Sequence, residues 1–72
     1  MKLAFIGTGK IIADALFAIE PIKEIEKTAI FARPHSKEKA EAFAKQYNIA
    51  EVYTDYEKLL TETAADTVYI GL

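Results

Sequence analysis

Two glycines near the amino terminus carry the strongest chemical signal in the sequence. Gly7 and Gly9 flank Thr8, a short apolar run precedes them, and an apolar pattern with helical spacing starts just after them. A strand, a glycine turn and a helix in this order are typical of the start of a dinucleotide-binding βαβ unit. Gly7 permits a tight turn, and Gly9 lets the backbone approach a pyrophosphate that faces the free N–H groups of the helix. The alternative interpretation is a glycine turn without a ligand.

The turn lacks the third glycine of the full dinucleotide-binding pattern. Ile12 stands at that position, which serves the packing of helix against strand rather than phosphate contact. We expect Ile12 to push the helix slightly outward and Ala13 to ease the fit. The motif is significant because it lies between a predicted strand and a predicted helix, at the start of a chain in which strands and helices alternate.

A second candidate contact lies at Arg33, directly after the second predicted strand. Dinucleotide-binding domains usually place an acidic residue there to accept from the ribose hydroxyls, but no carboxylate follows until Glu38. A guanidinium pairs with a 2′-phosphate and stacks on adenine, so Arg33 favours NADP over NAD. Ser36 and His35 can add hydrogen bonds in the same loop. A solvated loop cation is the alternative interpretation of Arg33.

Residues suited to catalysis or metal binding are scarce. The sequence has no cysteine and a single histidine, His35, which is expected on the adenine side of the site, away from the nicotinamide. The carboxylates are scattered over predicted polar faces and loops, and they form no convincing acid–base pair. We therefore predict no catalytic residue and no metal site in this chain.

Composition and charge exclude several classes of partner. The 72 residues allow one small domain, and a net charge of -2 with dispersed lysines gives no basic patch for nucleic acid. No apolar stretch approaches the roughly 20 residues of a membrane span, and the amino terminus does not resemble a signal peptide. We expect no nucleic-acid or membrane partner and a cytoplasmic location.

Strand-like and helix-like segments alternate along the chain, which is typical of a parallel α/β sheet. The sequence predicts a Rossmann-like half, β-α-β-α-β-α-β, with strand order 3-2-1-4 over residues 1–72. The predicted strands are 3–6, 28–32, 49–53 and 67–71. The first helix starts at Lys10. Ser36 is the expected N-cap of the second helix, and Asn48 is its expected C-terminal stop. Thr54 with Glu57 is the expected capping box of the third helix. This order leaves the apolar fourth strand as an unpaired edge.

Five segments, taken together, carry a family resemblance. They are 6–11 (IGTGKI), 32–33 (AR), 39–44 (KAEAFA), 53–60 (YTDYEKLL) and 66–71 (DTVYIG). In this order and spacing they resemble the amino-terminal domain of the Gfo/Idh/MocA oxidoreductases, and the resemblance covers essentially the whole chain. It implies a Rossmann domain that binds NAD(P), and the oxidation or reduction of sugars, inositols, dihydrodiols or related carbonyl compounds.

The resemblance also implies a set of cofactor contacts. In the pyrophosphate turn these are Gly7, Thr8, Gly9, Lys10 and Ile11. It assigns Arg33 to the adenosine end, and it places Gly71 and Leu72 where the chain of the family passes the cofactor.

Other parts of the family pattern lie beyond residue 72. In the family, the fourth strand runs into a Pro-Asn motif with a histidine, and a later Glu-Lys-Pro motif supplies the catalytic lysine. A carboxy-terminal domain provides most of the substrate site and often the oligomer contact. We therefore expect this chain to be an inactive segment of a longer, homo-oligomeric oxidoreductase that acts on a small carbonyl or alcohol substrate.

Two other classes of function use a similar glycine turn. A stand-alone nucleotide-binding or regulatory module would bind without catalysing, and its preference among NADPH, NADH and ATP would distinguish it. A methyltransferase-type site for S-adenosylmethionine usually has an acidic residue where Arg33 stands, so the sequence disfavours it.

Overall fold

Strands and helices alternate along the chain, as the sequence predicts. The computed structural model describes residues 1–71. Its elements are β1 (Lys2–Ile6), α1 (Lys10–Ile19), β2 (Glu26–Phe31), a 3₁₀ turn (Pro34–Ser36), α2 (Lys37–Tyr47), β3 (Glu51–Tyr53), α3 (Tyr56–Glu62) and β4 (Thr67–Ile70).

The four strands form one parallel sheet in the order β3-β2-β1-β4, which confirms the predicted order. At its carboxyl end, β1 places Ile6 in register with Phe31 of β2 and Ile70 of β4. All four strands end at the same edge of the sheet. Open parallel sheets bind ligands at this edge, beside the strand where the order reverses, which here is β1.

The helices cover both faces of the sheet because alternate residues of each strand point to opposite sides. On one face, Phe5 and Ile30 are fully buried against Leu16 of α1 and Ala40 of α2. On the other face, Leu59 of α3 is fully buried in a smaller cluster with residues of β1 and β2. Residues 3–6 of β1 are therefore buried on both sides, and the glycine turn follows directly from this buried strand.

Strand β4 forms one edge of the sheet and is exposed along its whole length. Val68, Tyr69 and Ile70 all remain accessible, although Tyr69 lies near Phe5 with ring centroids 6.1 Å apart. The described part of the chain thus has the apolar edge that the sequence predicts.

The start of α3 differs from the sequence-based expectation. The predicted capping box of Thr54 and Glu57 is wrong, because the helix begins at Tyr56 and Asp55 is its N-cap. The Asp55 carboxylate accepts from the Glu57 N–H at 2.9 Å and from the Lys58 N–H at 3.4 Å. One carboxylate thus satisfies two N–H groups that the helix leaves free.

Both ends of α2 lie at the expected residues, but the expected side-chain cap at its amino terminus does not form among the described residues. Ser36 occupies the N-cap position, yet its side chain makes no capping hydrogen bond within residues 1–71. Ser36 also ends the 3₁₀ turn, and its N–H donates to the carbonyl of Arg33 at 2.8 Å. At the other end, Asn48 adopts the left-handed conformation, with φ 60°, and terminates the helix as predicted.

Candidate cofactor-binding site

A cleft of about 240 Å³ opens at the carboxyl edge of the sheet. The segments that follow β1, β2 and β4 form its walls. The lining residues are Gly7, Thr8, Gly9, Phe31, Ala32, Arg33, His35, Ser36 and Gly71. The structure therefore brings the glycine turn and the Arg33 loop, which are separate in the sequence, to opposite sides of one cleft.

Gly7 is required by the fold itself. Its φ of +118° is a conformation that side-chain-bearing residues rarely adopt. A Cβ at Gly7 would also stand 3.0 Å from the carbonyl oxygen of Gly71. The Gly7 N–H donates to the carbonyl of Phe31 at 2.9 Å, which ties the turn to the end of β2.

Gly9 is different, because the fold does not require a glycine there. Its φ of -78° and ψ of -171° are open to any residue. A Cβ at Gly9 would meet no atom within 4 Å among the described residues. Gly9 is exposed and lines the cleft, so its backbone is open to the close approach of a ligand.

The amino terminus of α1 lies next to this open space. Gly9 is the N-cap, no side chain caps the helix, and its first turn contains no acidic residue. The Ala13 N–H donates to the Gly9 carbonyl at 3.0 Å, which is the first hydrogen bond of the regular helix. The N–H groups of residues 10–12 come before it and have no acceptor within the helix. These groups carry the partial positive charge of the helix terminus, which favours an anion.

Ile12 replaces the third glycine of the motif, and its side chain is fully buried. A Cβ at Gly71 would stand 2.7 Å from the Ile12 Cδ1 atom. The absence of a side chain at Gly71 therefore makes the room that Ile12 fills. The sequence identified Ile12 as an obstacle to close packing, but not the partner that accommodates it.

The opposite side of the cleft is formed by the loop after β2. Ala32 is buried, and its N–H donates to the carbonyl of Tyr53 at 2.9 Å. Arg33 and His35 are exposed, whereas Ser36 is half-buried. The ion pair found within residues 1–71 joins Lys27 to Glu20, so no carboxylate of this part of the chain neutralises Arg33.

A second, more apolar cleft of about 250 Å³ adjoins the first. It shares Phe31 and Arg33 with the first cleft, and Ile6, Tyr56 and Ile70 complete its lining. The Phe31 and Tyr56 rings are 5.6 Å apart in an edge-to-face arrangement. The sequence alone does not indicate this contact, because the packing of α3 against β2 that brings Tyr56 near Phe31 is not visible in a linear pattern.

Tyr53 ends the neighbouring strand β3, and its hydroxyl is not suited to act as a base at neutral pH. Burial, and then a hydrogen bond to Glu51, raises the pKa of its hydroxyl above the ordinary value of 10.0. The hydroxyl donates to Oε1 of Glu51 at 3.0 Å. Tyr53 therefore stays protonated at neutral pH. Its backbone carbonyl accepts from the Ala32 N–H and so supports the loop after β2.

The structure assembles six of the nine residues predicted to contact a cofactor around the first cleft. They are Gly7, Thr8, Gly9, Arg33, Ser36 and Gly71. Lys10 and Ile11 lie in the first turn of α1, outside the lining of the cleft, so they can contribute through their backbone. Leu72 lies outside the described residues.

Metal-binding and membrane-spanning features were also sought in the described residues. Residues 1–71 contain no group of three or more His, Cys, Asp or Glu residues that could hold a metal ion. None of the helices in that part of the chain has the length and apolar character needed to cross a membrane.

The fold and the cleft together define a Rossmann-like α/β domain with a glycine turn at the carboxyl edge of its sheet. The model of the Gfo/Idh/MocA family, described as an oxidoreductase family with an NAD-binding Rossmann fold, matches residues 1–72. The chain therefore belongs to this family.

Two curated relatives are the trans-1,2-dihydrobenzene-1,2-diol dehydrogenases of Xenopus tropicalis and Xenopus laevis. Each is 29% identical over 70 residues, which cover 97% of this chain and 21% of the relative. The chain thus spans about a fifth of the length of these relatives.

Solved structures support the fold. The apo scyllo-inositol dehydrogenase of Lactobacillus casei superimposes with a TM-score of 0.84 at 18% identity, over 100% of this chain and 21% of that enzyme. The same enzyme with bound NAD(H) and scyllo-inositol gives a TM-score of 0.84 at 19% identity, with the same coverage.

Proposed function

We propose that this chain is the cofactor-binding segment of a longer NAD(P)-dependent oxidoreductase. The observation that carries the proposal is the open space at Gly9, beside a helix terminus that has neither a side-chain cap nor an acidic first turn. The fold does not require glycine at this position, whereas a bound pyrophosphate would. Membership in a family of NAD-binding oxidoreductases supports the same conclusion.

The proposed contacts divide the cofactor between the two sides of the cleft. The turn from Gly7 to Gly9 and the first N–H groups of α1 would hold the pyrophosphate. Arg33 and Ser36 would hold the adenosine ribose, and the apolar cleft beside Tyr56 offers space for the adenine ring. When bound, the nicotinamide cofactor supplies hydride transfer, while this chain binds and orients it.

Arg33 supports a preference for NADP over NAD. It is exposed at the carboxyl end of β2, where an NAD-binding domain usually carries a carboxylate. A guanidinium forms charge-assisted hydrogen bonds to a phosphate, and a carboxylate at the same place would repel it. The 2′-phosphate of NADP is thus the group that Arg33 fits.

The proposed reaction belongs to the longer protein. The curated relatives are dihydrodiol dehydrogenases by name, and a structural neighbour holds scyllo-inositol together with NAD(H). We propose a sugar, polyol or dihydrodiol substrate, bound mainly by a part of the protein outside this chain. A homo-oligomeric, cytoplasmic enzyme, with this segment inactive by itself, completes the proposal.

Titration of the chain with NADPH, NADH and ATP tests the proposed function. Arg33→Asp should weaken NADPH binding about tenfold or more, since a hydrogen bond to a charged group contributes about 1.5–3 kcal/mol. NADH binding should change much less. Lys39→Asp is the matched control, because it makes the same change of charge on exposed α2 away from the cleft.

Three outcomes would contradict parts of the proposal. Equal loss of NADPH binding in both variants would mean that Arg33 acts only through overall charge. Unchanged NADPH binding in Arg33→Asp would remove the NADP preference. Tight ATP binding without any preference for dinucleotides would favour the stand-alone nucleotide-binding module.

A further inference from the structure

The contact between Gly71 and Ile12 joins the carboxyl end of β4 to the start of α1. A Cβ at Gly71 would stand 2.7 Å from Ile12 Cδ1, 2.9 Å from Ile12 Cγ1 and 3.4 Å from Ile11 Cγ2. The first two distances are well below the roughly 3.5–4.0 Å of a favourable carbon–carbon contact. Position 71 therefore cannot accept even a methyl group while Ile12 keeps its place.

Ile12 has little freedom to move away from Gly71. Its side chain is fully buried and belongs to the same cluster as Phe5 and Leu16. Its Cδ1 atom can rotate away, but a β-branched residue in a helix keeps one strongly preferred χ1 rotamer, so displacing Cγ1 in a close-packed interior would strain the turn of α1 that carries it.

We propose that Gly71 is a positioning residue for the cofactor: it makes room for Ile12, and Ile12 sets the position of the first turn of α1. The N–H groups of that turn are the ones that would face the pyrophosphate. This inference rests on the proposed function, and it gives Gly71 a role other than the direct contact expected from the sequence.

The proposal also explains how the chain functions without the third glycine of the motif. That glycine normally lets the helix approach the sheet closely. Here the helix carries isoleucine, and the neighbouring strand end carries the glycine instead. The side chain is thus missing at the end of β4 instead of on α1, and the space it leaves is filled by Ile12.

A set of variants of the 72-residue chain tests this coupling. They are Gly71→Ala, Ile12→Ala, Ile12→Ala with Gly71→Ala, and Ile12→Val with Gly71→Ala. Each is titrated with NADPH, which contains the pyrophosphate, and with adenosine 2′-monophosphate, which does not. Thermal unfolding and the ligand-free amide shifts of residues 10–12 are recorded for each variant.

The expected result separates the two ligands. Gly71→Ala should weaken NADPH binding about tenfold, the size expected when one hydrogen bond to a charged group is lost, and should leave adenosine 2′-monophosphate nearly unaffected. The amide shifts of residues 10–12 should change in Gly71→Ala. Adding Ile12→Ala should remove the clash and bring both readouts back to those of Ile12→Ala alone, which binds NADPH better than Gly71→Ala does. Ile12→Val should restore them partly, because valine lacks Cδ1 but keeps the atoms nearer the backbone.

The outcomes distinguish this inference from the proposed function. If the unsubstituted chain binds no NADPH, the proposed function fails and the inference fails with it. The inference alone is overturned if the chain binds NADPH and Gly71→Ala binds it equally well, or if both ligands weaken equally. It is also overturned if the double alanine variant is unfolded or binds no better than Gly71→Ala. A Gly71→Ala chain that unfolds, while the double variant folds and binds, supports it.

Discussion

Helices α1 and α3 start in opposite ways. At α3, the Asp55 side chain accepts from two backbone N–H groups, and Glu57 adds negative charge to the first turn. At α1, Gly9 stands at the equivalent N-cap position, without a side-chain cap and without an acidic residue in the first turn. The sequence thus provides an anion for one helix terminus and none for the other.

The difference reflects what each terminus faces. Free N–H groups at a helix start are normally satisfied by a side chain, by water or by a ligand. The start of α1 borders the cleft proposed for the pyrophosphate, whereas Asp55 lines neither cleft, and only the ring of Tyr56 next to it reaches the apolar one. We infer that α3 uses its cap for stability, and that α1 leaves the same position free for the phosphates of a cofactor.

The largest expected effect concerns the turn that leads into α1. Gly7→Ala should lower the free energy of unfolding by about 2–4 kcal/mol, because φ at Gly7 is +118° and the new Cβ would crowd the Gly71 carbonyl. Denaturation by urea, followed by circular dichroism, measures this loss. Gly9→Ala is the matched control, with an expected loss within about 1 kcal/mol, because alanine is a poorer N-cap than glycine but meets no steric clash there. Equal losses of stability in both variants would show that the fold requires glycine at position 9 as much as at position 7.

The next largest effect comes from giving α1 the cap that α3 has. Gly9→Asp should weaken NADPH binding about tenfold or more, because the carboxylate would occupy the open space and repel the pyrophosphate. Stability should stay equal or rise by about 0.2–0.5 kcal/mol, since aspartate is a good N-cap. Calorimetric titration and urea denaturation of the same samples measure the two quantities.

Gly9→Asn separates charge from size at this position. Asparagine also caps helices and has nearly the same volume as aspartate, but it carries no charge. It should reduce NADPH binding less than Gly9→Asp does. Unchanged binding in both variants would mean that the phosphates do not approach Gly9.

Much of this comparison could be predicted from the sequence, because it depends on local patterns. The glycine turn, the alternation of strand and helix and the left-handed Asn48 all follow from residue types at short spacing. The capping of α3 was misplaced by one residue. Thr54 and Asp55 are both good N-caps, and spacing alone does not show which of them precedes the first helical residue.

The contacts between distant segments could not be predicted in the same way. Gly71 and Ile12 meet only because β4 lies beside β1, and Phe31 meets Tyr56 only because α3 packs across the end of β2. A linear pattern predicts which face a residue occupies, but not which atoms it meets. The proposed adenosine side of the site depends on contacts between distant segments more than the glycine turn does.

The smallest expected effect comes from removing the cap of α3, whereas Gly9→Asp adds a cap to α1. Asp55→Ala removes the α3 cap and should lower the free energy of unfolding by about 1 kcal/mol. Asp55→Asn should retain most of the stability, because asparagine also caps helices. NADPH binding should change far less than in Gly9→Asp, because Asp55 lines neither cleft and only its neighbour Tyr56 reaches the apolar one. Urea denaturation and calorimetric titration measure the two effects. If Asp55→Ala weakened NADPH binding as much as Gly9→Asp, the two termini would not be divided between stability and binding. If instead Gly9→Asp affects only binding and Asp55→Ala only stability, the same backbone position performs two separate tasks in two helices of one sheet.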